Sequence, residues 1–435
     1  MKTKKLSEIS ELLSGYAFKS KNYVESGIRV IRIANVQDGY IVDDAPCYYP
    51  VETDEDIEKY SLCAGDLLIS LTGNVGRVGI LPADILPAAL NQRICCLRID
   101  EAIVDRKYLF YYLRRYQFMR DCVKASKGVA QLNLSTKWLA DYKIPLPAIE
   151  EQKRIVTRIE ELFSELDNGV ETLQKTKQQL AVYRQAVLKR AFEGAYTEQW
   201  RNEHKNENPL NDYYCIKKVN PVYKDTSGDE NEIRLILPTQ WLNLRIGDIF
   251  EVDVGATPSR RNSEYWNGDI SWVSSGEVHF NTIIETKECI TLDGLNHAST
   301  NVHPVGTIML AMIGEGKTRG QAAILNIPAA HNQNTAAILV SQTPCPPKYI
   351  YYFLQMNYDN TRRVGSGNNQ KALNKERVRA LRFPFTSFAE QAVIVQEIES
   401  RLSVCDSIEK TVDTALQQAE AMRQSILKQA FEGRL

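Results

Sequence analysis

A short segment, LAMIGEGKTRGQAA (residues 310–323), contains residue types that bind phosphate. Gly316 and Lys317 precede a threonine, as in a loop where glycine frees backbone N–H groups, lysine contacts phosphates and a hydroxyl ligates magnesium. The complete pattern also needs a glycine at position 311, where the chain has Ala311. A glycine turn that presents Lys317 and Arg319 is therefore the better description, and a nucleotide hydrolase is the weaker alternative.

Other arrangements that could support catalysis are incomplete. NPVY (residues 220–223) approaches the Asn-Pro-Pro-Tyr motif of adenine methyltransferases, but it lacks the second proline and lies in a polar segment. The five histidines have no metal-ligand spacing, and His331 begins HNQN, which suits a polar contact loop. The nine cysteines form no CxxC pair, so we expect reduced thiols. We expect no catalytic residue, no metal and no cofactor in this chain.

Two basic segments indicate a different chemistry. Residues 106–127 and 361–382 concentrate Lys and Arg, and they lead into ASKGVAQLNLS (125–135) and GSGNNQKALNK (365–375). Lys and Arg neutralise phosphates, whereas Asn and Gln read base edges. A solvated helix face followed by a surface loop would have the same composition, so DNA contact and a structural role both stay open. The net charge of −1 restricts any nucleic-acid surface to local patches.

These basic segments occupy equivalent places in an internal repeat. For example, KYLFYYLRRY matches KYIYYFLQMN, and QAVLKRAFEG matches QSILKQAFEG. The offsets between matches are 239 or 241 residues, too long for a solenoid repeat, so the chain is predicted to contain two copies of one unit. The four matching pairs begin at Asn91 and Asn332, Lys107 and Lys348, Glu150 and Ala389, and Gln185 and Gln424.

Each copy combines a mixed segment with one long helix. Runs such as IRVIRIANV (28–36) and DLLISL (66–71) predict strands, and the prolines of IPLP (144–147) and FPF (383–385) end the mixed segments. The segment between the copies is polar, which predicts a partly mobile connector. We therefore predict domains at 1–147 and 236–385, helices at 148–194 and 386–435, and a connector at 195–235.

Apolar residues recur at every seventh position along both predicted helices. Because the stripe is narrow and the other faces are rich in Glu, Gln, Lys and Arg, it predicts a coiled coil rather than a surface helix. An approximate two-fold axis between the copies would make the two helices antiparallel. The heptad residues are Ile159, Leu166, Leu173, Leu180 and Val187, then Ile398, Cys405, Val412, Ala419 and Ile426.

Over essentially its whole length the chain resembles the DNA-specificity (S) subunits of type I restriction-modification enzymes. The resemblance rests on the order of domains and helices, on IPLPAIEEQKRIV (144–156) and its copy FPFTSFAEQAVIV (383–395), on the LKRAFEG and LKQAFEG ends, and on LPTQW (237–241). Two departures are FTSFAEQ in the second copy and the lack of an LPxxW sequence before the first domain. The expected fold is α+β: two mixed α/β target-recognition domains separated by two long antiparallel coiled-coil helices, with an internal pseudo-two-fold repeat.

The resemblance implies a non-catalytic subunit that recognises a bipartite double-stranded DNA target. Two methyltransferase subunits and, through them, motor-nuclease (restriction) subunits would be its partners, and S-adenosylmethionine, ATP and Mg would bind those partners. Without an apolar signal sequence or span, we expect a cytoplasmic protein with no membrane contact. A coiled-coil scaffold without sequence-specific DNA contact is the alternative.

The resemblance and the basic loops together give candidate DNA contacts. We expect Lys and Arg mostly to hold phosphates, while the amides and one or two Arg read bases. In the first domain the candidates are Lys19, Lys21, Arg77, Lys127, Gln131 and Asn133. In the second domain they are Arg260, Arg261, Lys317, Arg319, Asn369, Gln370 and Lys371.

Overall fold

The computed structural model describes residues 2–52, 57–128, 131–216, 235–314, 316–363 and 373–435. These residues form an α+β fold with two compact units, which confirms the predicted fold class in outline. The first unit comprises residues 1–175 and 412–435, and the second comprises residues 176–411. Each unit therefore contains one mixed domain and one part of each long helix.

The first unit begins with a mixed domain and continues into a helix of 44 residues. Its strands are β1 (Thr3–Lys5), β2 (Ser10–Ser14), β3 (Ile28–Ile31), β4 (Tyr48–Tyr49), β5 (Ser61–Leu62), β6 (Leu67–Ser70), β7 (Val78–Ile80), β8 (Ala88–Leu90), β9 (Ile94–Ile99) and β10 (Lys143–Pro145). Its helices are α1 (Arg106–Leu113), α2 (Tyr116–Ala125), α3 (Thr136–Asp141) and the start of α4 (Ile149–Phe192).

Two four-stranded sheets form the first domain. One has the antiparallel order β2-β9-β6-β7, and the other has the order β4-β3-β8-β5 with β3 parallel to β8. The apolar side chains of β6 and β9 pack with α1, for example Leu67 and Leu97 with Leu109. Strand β1 pairs with β10, Thr3 opposite Pro145, so that the start of the domain is joined to its end just before α4.

The second unit repeats this organisation after two short helices. The helices are α5 (Glu198–Glu203), α6 (Pro209–Cys215), α7 (Ile246–Ile249), α8 (Leu292–His297), α9 (Pro347–Met356), α10 (Tyr358–Arg363), α11 (Lys375–Ala380) and the start of α12 (Phe388–Phe431). The strands are β11 (Leu242–Arg245), β12 (Val252–Val254), β13 (Trp266–Val273), β14 (Asn281–Ile283), β15 (Glu288–Ile290), β16 (Ile308–Ala311), β17 (Ala322–Leu325), β18 (Ala330–His331), β19 (Thr335–Ile338) and β20 (Arg382–Phe385).

The strand order of the second domain matches that of the first. In the five-stranded sheet, β12, β19, β16 and β17 correspond in order to β2, β9, β6 and β7, and β14 is added beside β17. In the three-stranded sheet, the order β15-β13-β18 corresponds to β4-β3-β8. Strand β11 pairs with β20 as β1 pairs with β10. Helices α5 and α6 lie inside the segment predicted as a polar connector, a feature that composition did not reveal. Residues 217–234 of that segment, with NPVY, lie outside the described residues.

A buried glutamine fixes the start of each long helix. The Gln152 amide nitrogen donates to the carbonyls of Pro147 (2.9 Å) and Ile103 (3.3 Å), and its oxygen accepts from the Asp105 backbone N–H (2.8 Å). In α12 the equivalent Gln391 is also fully buried and donates to a backbone carbonyl at 2.7 Å. The glutamine shared by the two copies therefore joins each helix to its own domain.

Replacing Gln152 with alanine is expected to lower the free energy of unfolding of the first unit. The substitution leaves the Asp105 N–H and the Pro147 carbonyl without a partner inside the protein, which costs about 1–3 kcal/mol. Urea unfolding would measure the loss, with the exposed Gln174→Ala on the same helix as the matched control. A change no larger than that of the control would show that the buried amide contributes nothing.

The last apolar residue of each long helix packs against the domain of the other copy. In the second unit, Phe192 of α4 makes an edge-to-face contact with Tyr349, with ring centroids 5.1 Å apart. In the first unit, Phe431 of α12 makes the equivalent contact with Tyr108 at 5.2 Å. The AFEG ends shared by the two copies therefore have the same packing role in both units.

The heptad residues lie on the buried side of the helices. Eight of the ten are buried, and Leu166 and Leu173 are half-buried. Each heptad also has a second apolar position, and its residues are more open, for example Tyr183, which is 48% exposed, and Met422, which is 53% exposed. Only one of the two apolar positions in each heptad is therefore consistently buried. Within the described residues, no helix combines the length and the apolarity needed to cross a bilayer.

Candidate nucleic-acid interface

The segment LAMIGEGKTRGQAA forms the turn of a β-hairpin. Strand β16 pairs with β17, Leu310 opposite Ala322, so the turn leads into a strand. A nucleotide phosphate loop instead leads into a helix, whose first N–H groups bind the phosphates. The hairpin therefore argues against a nucleotide hydrolase, and so does Ala311, which stands where the phosphate-loop pattern needs glycine.

Two side chains from α10 hold this turn in place. The Tyr358 hydroxyl donates to the Lys317 carbonyl, and the Arg362 guanidinium donates to the Gly316 carbonyl. The Lys317 side chain is exposed, whereas Arg319 is only 8% exposed and donates to the Arg362 carbonyl at 2.8 Å. The expectation that Arg319 contacts DNA is therefore corrected, because its guanidinium supports the turn from inside.

One end of the β2-β9-β6-β7 sheet gathers polar residues from distant parts of the chain. Because neighbouring strands are antiparallel, the ends of β2 and β6 lie beside the beginnings of β9 and β7. We call this end the first polar edge and define it as residues 15–17, 71–77 and 91–93. The Leu71 N–H donates to the Arg93 carbonyl at 3.0 Å. Gln92 and Arg93 are both exposed there.

The amide-rich loop after α2 is attached to the first polar edge. Lys127 and Asn133 exchange backbone hydrogen bonds of 3.0 and 2.9 Å, which close the loop. The Leu134 N–H donates to the Leu71 carbonyl at 2.7 Å, which joins the loop to the edge. The side chains of Lys127, Gln131 and Asn133 are exposed. The fold thus brings these three candidates to one surface.

The second domain has an equivalent edge. We call it the second polar edge and define it as residues 255–257, 312–321 and 332–334, with position 315 outside the described residues. The Met312 N–H donates to the Asn334 carbonyl at 2.9 Å, and the Leu373 N–H donates to the Met312 carbonyl at 3.0 Å. These bonds match those of Leu71 in the first domain. Asn369, Gln370 and Lys371 lie outside the described residues.

The remaining candidates differ in exposure and in the partners of their charged groups. Lys19, Lys21 and Arg261 are exposed. The Arg77 Nη1 atom donates to the Gln37 amide oxygen at 2.9 Å. We therefore keep Arg77 as a candidate whose guanidinium is already held in place.

Arg260 has partners within its own domain. Both terminal nitrogens of its guanidinium donate to the Glu288 carboxylate, and its carbon atom Cζ lies 3.7 Å from the centre of the Trp266 ring. This bond lowers the pKa of the Glu288 carboxyl and keeps the pair charged. The Arg260 side chain is still 55% exposed, so Arg260 stays a candidate phosphate contact that shares its charge with Glu288.

The sequence-based candidates omitted a glutamine at each edge. Asn91-Gln92 and Asn332-Gln333 are shared by the two copies, and this match was the available signal. The Asn91 side-chain oxygen accepts from the N–H two residues later at 3.3 Å, and that of Asn332 does the same at 3.0 Å. In both turns the asparagine therefore shapes the backbone, and the exposed glutamine that follows it is directed outward.

Two buried histidines lie behind the second polar edge. The Thr335 hydroxyl donates to the Asn332 carbonyl at 3.1 Å and accepts from His331 Nδ1 at 2.8 Å. This bonding assigns a free electron pair to His331 Nε2, which accepts from His303 Nε2 at 3.1 Å. Burial lowers the pKa of His331 to about 3 and also lowers that of His303. Both imidazoles are therefore neutral at pH 7.

Acidification is expected to destabilise the second unit through His331. Between pH 6.5 and pH 3 the unfolded chain binds a proton at this residue and the folded chain does not, so stability decreases as the pH falls. From pH 7 to pH 5 the loss from His331 is about 2 kcal/mol. Urea unfolding at both pH values would measure it, and His331→Asn should flatten the dependence. An equally steep dependence in that variant would contradict the assignment to His331.

The described residues contain no group of three or more His, Cys, Asp and Glu side chains arranged to bind a metal ion. All nine cysteines are among the described residues, and none of them forms a disulfide.

Comparison with known proteins agrees with this architecture. The family model described as "Type I restriction modification DNA specificity domain" matches residues 1–180 and 238–418. The specificity subunit of the type I restriction enzyme EcoBI from Escherichia coli is 29% identical over 42% of this chain, a match that spans only 38% of that subunit. The EcoKI specificity subunit from Escherichia coli K12 is 22% identical over 99% of this chain and 88% of its own length.

A solved structure of a type I restriction-modification system contains a chain with the same fold. It superposes with a TM-score of 0.69 at 16% identity and covers 100% of this chain and 98% of its own. The family model matches most of the sequence, in two segments that correspond to the two copies. The chain therefore belongs to the family of type I restriction-modification DNA-specificity (S) subunits.

Proposed function

We propose that this chain reads a bipartite double-stranded DNA target, with one half-site bound at each polar edge. The observation that carries the proposal is the duplication of the edge. Leu71 and Met312 each make two backbone hydrogen bonds that attach the same two segments of their domain to the edge. Lysines and amides from three separate parts of the chain meet there, and these are the groups that hold phosphates and read bases.

The proposed interface combines the sequence-based candidates with residues that the two polar edges add. In the first domain it includes Lys19, Lys21, Arg77, Lys127, Gln131 and Asn133, to which we add Gln92 and Arg93. In the second domain it includes Arg260, Arg261, Lys317, Asn369, Gln370 and Lys371, to which we add Gln333. The lysines would mostly hold phosphates, and the amides would supply the sequence preference.

We further propose that α4 and α12 pair as an antiparallel coiled coil that spaces the two half-sites. Contacts within each unit support this direction. In the first unit Arg423 of α12 forms an ion pair with Asp167 of α4, and in the second unit Arg184 of α4 contacts Asp406 of α12 at 2.7 Å. From residue 167 to residue 184 of α4, the contacted residue of α12 changes from 423 to 406, which is the order expected for antiparallel helices. Each helix has 44 residues and a length of about 66 Å.

Catalysis is assigned to partner subunits. Two methyltransferase subunits would bind the two pseudo-equivalent halves, and motor-nuclease subunits would join through them. S-adenosylmethionine, ATP and Mg would then bind those partners in the cytoplasm. This assignment is supported by membership of the specificity family and by the internal repeat, which offers each partner type two similar surfaces.

A selection experiment separates this proposal from a coiled-coil scaffold. The full chain, assembled with its methyltransferase subunit, would be incubated with a pool of random DNA duplexes, and bound duplexes would be sequenced. We expect two short conserved segments separated by a fixed number of unspecified base pairs. A scaffold without DNA specificity would return duplexes with no sequence in common, and that result would overturn the proposal.

A further inference from the structure

The exposed amide of Gln333 is held in a defined orientation at the second polar edge. The Thr257 hydroxyl donates to the Gln333 side-chain oxygen at 2.5 Å. The Gln333 side chain is exposed, while its neighbours His331 and Asn332 are 0% and 6% exposed. The glutamine therefore projects from a rigid base, and in this structure its amide oxygen is the end that faces Thr257.

Thr257 is itself fixed relative to this turn. Two residues earlier, Gly255 lies so close to the His331 carbonyl that no side chain could be accommodated between them. The intervening Ala256 carbonyl accepts from the buried Trp272 indole N–H at 3.2 Å. The segment that carries the threonine is thus attached to the core on the side next to Gln333.

The other two amides of this run are used differently. The Asn332 side-chain oxygen accepts from the Asn334 N–H, so that residue stabilises its own turn. Asn334 is half-buried, and its backbone carbonyl accepts from Met312. Gln333 is consequently the amide of this run that is both exposed and pre-oriented, two properties that favour recognition of a ligand.

The orientation determines which base fits. A carboxamide oxygen can accept two hydrogen bonds, so Thr257 leaves one position open on the Gln333 oxygen. That position can accept from adenine N6, while the Gln333 nitrogen donates to adenine N7, which is the bidentate pairing of glutamine with adenine in the major groove. Guanine offers acceptors at both of these positions and cannot complete the pair.

We propose that Gln333 reads an adenine in the half-site bound by the second domain and that Thr257 positions its amide. The proposal rests on the proposed function, because it assumes that the second polar edge faces DNA. The first domain provides a contrast, since Gln92 occupies the equivalent turn and the residue aligned with Thr257 is Ala17. The positioning contact is therefore specific to the second half-site.

The test uses the full chain co-expressed with its methyltransferase subunit in a host without adenine methylation. Methylated motifs would be read by single-molecule sequencing for the wild type, Gln333→Ala, Thr257→Val and Thr257→Ser. We expect Gln333→Ala to make one A·T position of one half-site degenerate, with the other half-site unchanged as an internal control. Thr257→Val should partly relax the same position, and Thr257→Ser, which keeps the hydroxyl, should retain the motif.

Competition binding provides a second measurement in case a variant methylates too weakly to be sequenced. Duplexes altered at each base pair of the second half-site would compete with the cognate duplex for the assembled complex. Wild type should disfavour one A·T substitution by roughly 5- to 150-fold, and Gln333→Ala should lose that discrimination.

The outcomes separate this proposal from the proposed function. A bipartite wild-type motif that Gln333→Ala leaves intact would overturn the role of Gln333 and keep the proposed function. Relaxation at a G·C position would overturn the assignment of adenine. Equal motifs in Thr257→Val and the wild type would overturn the positioning role. A wild-type complex without any sequence preference would overturn both proposals.

Discussion

Replacing Glu390 with alanine is expected to lower the free energy of unfolding of the second unit by about 3–5 kcal/mol. Glu390 is 2% exposed, and its carboxylate accepts from Arg201 and Thr197 at 2.7 Å each and from the Trp241 indole at 2.9 Å. Removing it leaves the largely buried Arg201 guanidinium without its charge partner, and the indole and hydroxyl donors lose their acceptor. An uncompensated buried charge costs more than the pair contributes.

Chemical unfolding of the full chain, followed by circular dichroism and tryptophan fluorescence, would measure this loss. Glu390→Gln keeps the shape and one acceptor oxygen but removes the charge, so an intermediate loss is expected. Glu420→Ala, at an exposed position of the same helix, is the matched control and should change stability by less than about 0.5 kcal/mol. A loss below about 1 kcal/mol for Glu390→Ala would contradict the proposed role of the network.

Replacing Gly255 with alanine is expected to displace the second polar edge. An added Cβ atom would lie 1.9 Å from the His331 carbonyl oxygen and 2.5 Å from its carbon. These are backbone atoms of β18, which pairs with β13, so they cannot move aside without breaking the strand pairing. Overpacking of this kind typically costs about 1–3 kcal/mol, and a contact this short belongs at or above the upper end of that range.

The expected functional result of Gly255→Ala is weaker recognition of one half-site. Competition with duplexes altered in either half would show discrimination lost in the second half and kept in the first. Gly15→Ala should give the reverse result, because its Cβ would lie 2.3 Å from the Asn91 backbone. Gly169→Ala, with no atom within 4 Å in the exposed middle of α4, is the control and should stabilise the chain by about 0.5–1 kcal/mol. Equal effects of both glycine variants on both half-sites would contradict the assignment of one edge to each half.

Features with a sequence period could be predicted from the chain alone. The heptads place Ile159 and Ile398 on a buried stripe, and both are fully buried. The glycine turn predicted within residues 310–323 connects the paired strands β16 and β17. These predictions succeed because period and turn chemistry are local properties.

Features created by tertiary contacts were not visible in the sequence. Arg319 reads as a surface cation, yet the carbonyl of Arg362 on α10 holds it inside the domain. Helix α5 lies in a polar stretch, and its Arg201 bonds to Glu390, nearly two hundred residues away. The polar edges likewise depend on strand order, which composition and spacing do not determine.

Sequencing the methylated adenines of the native host, with and without this gene, tests the central claim most directly. If the chain determines specificity through two reading domains, deletion should remove one bipartite motif completely, and re-expression should restore the same motif. Re-expression of Gly255→Ala should restore methylation in which only one half-site is relaxed. A methylome that keeps every motif after deletion would contradict the claim that this chain selects the DNA target.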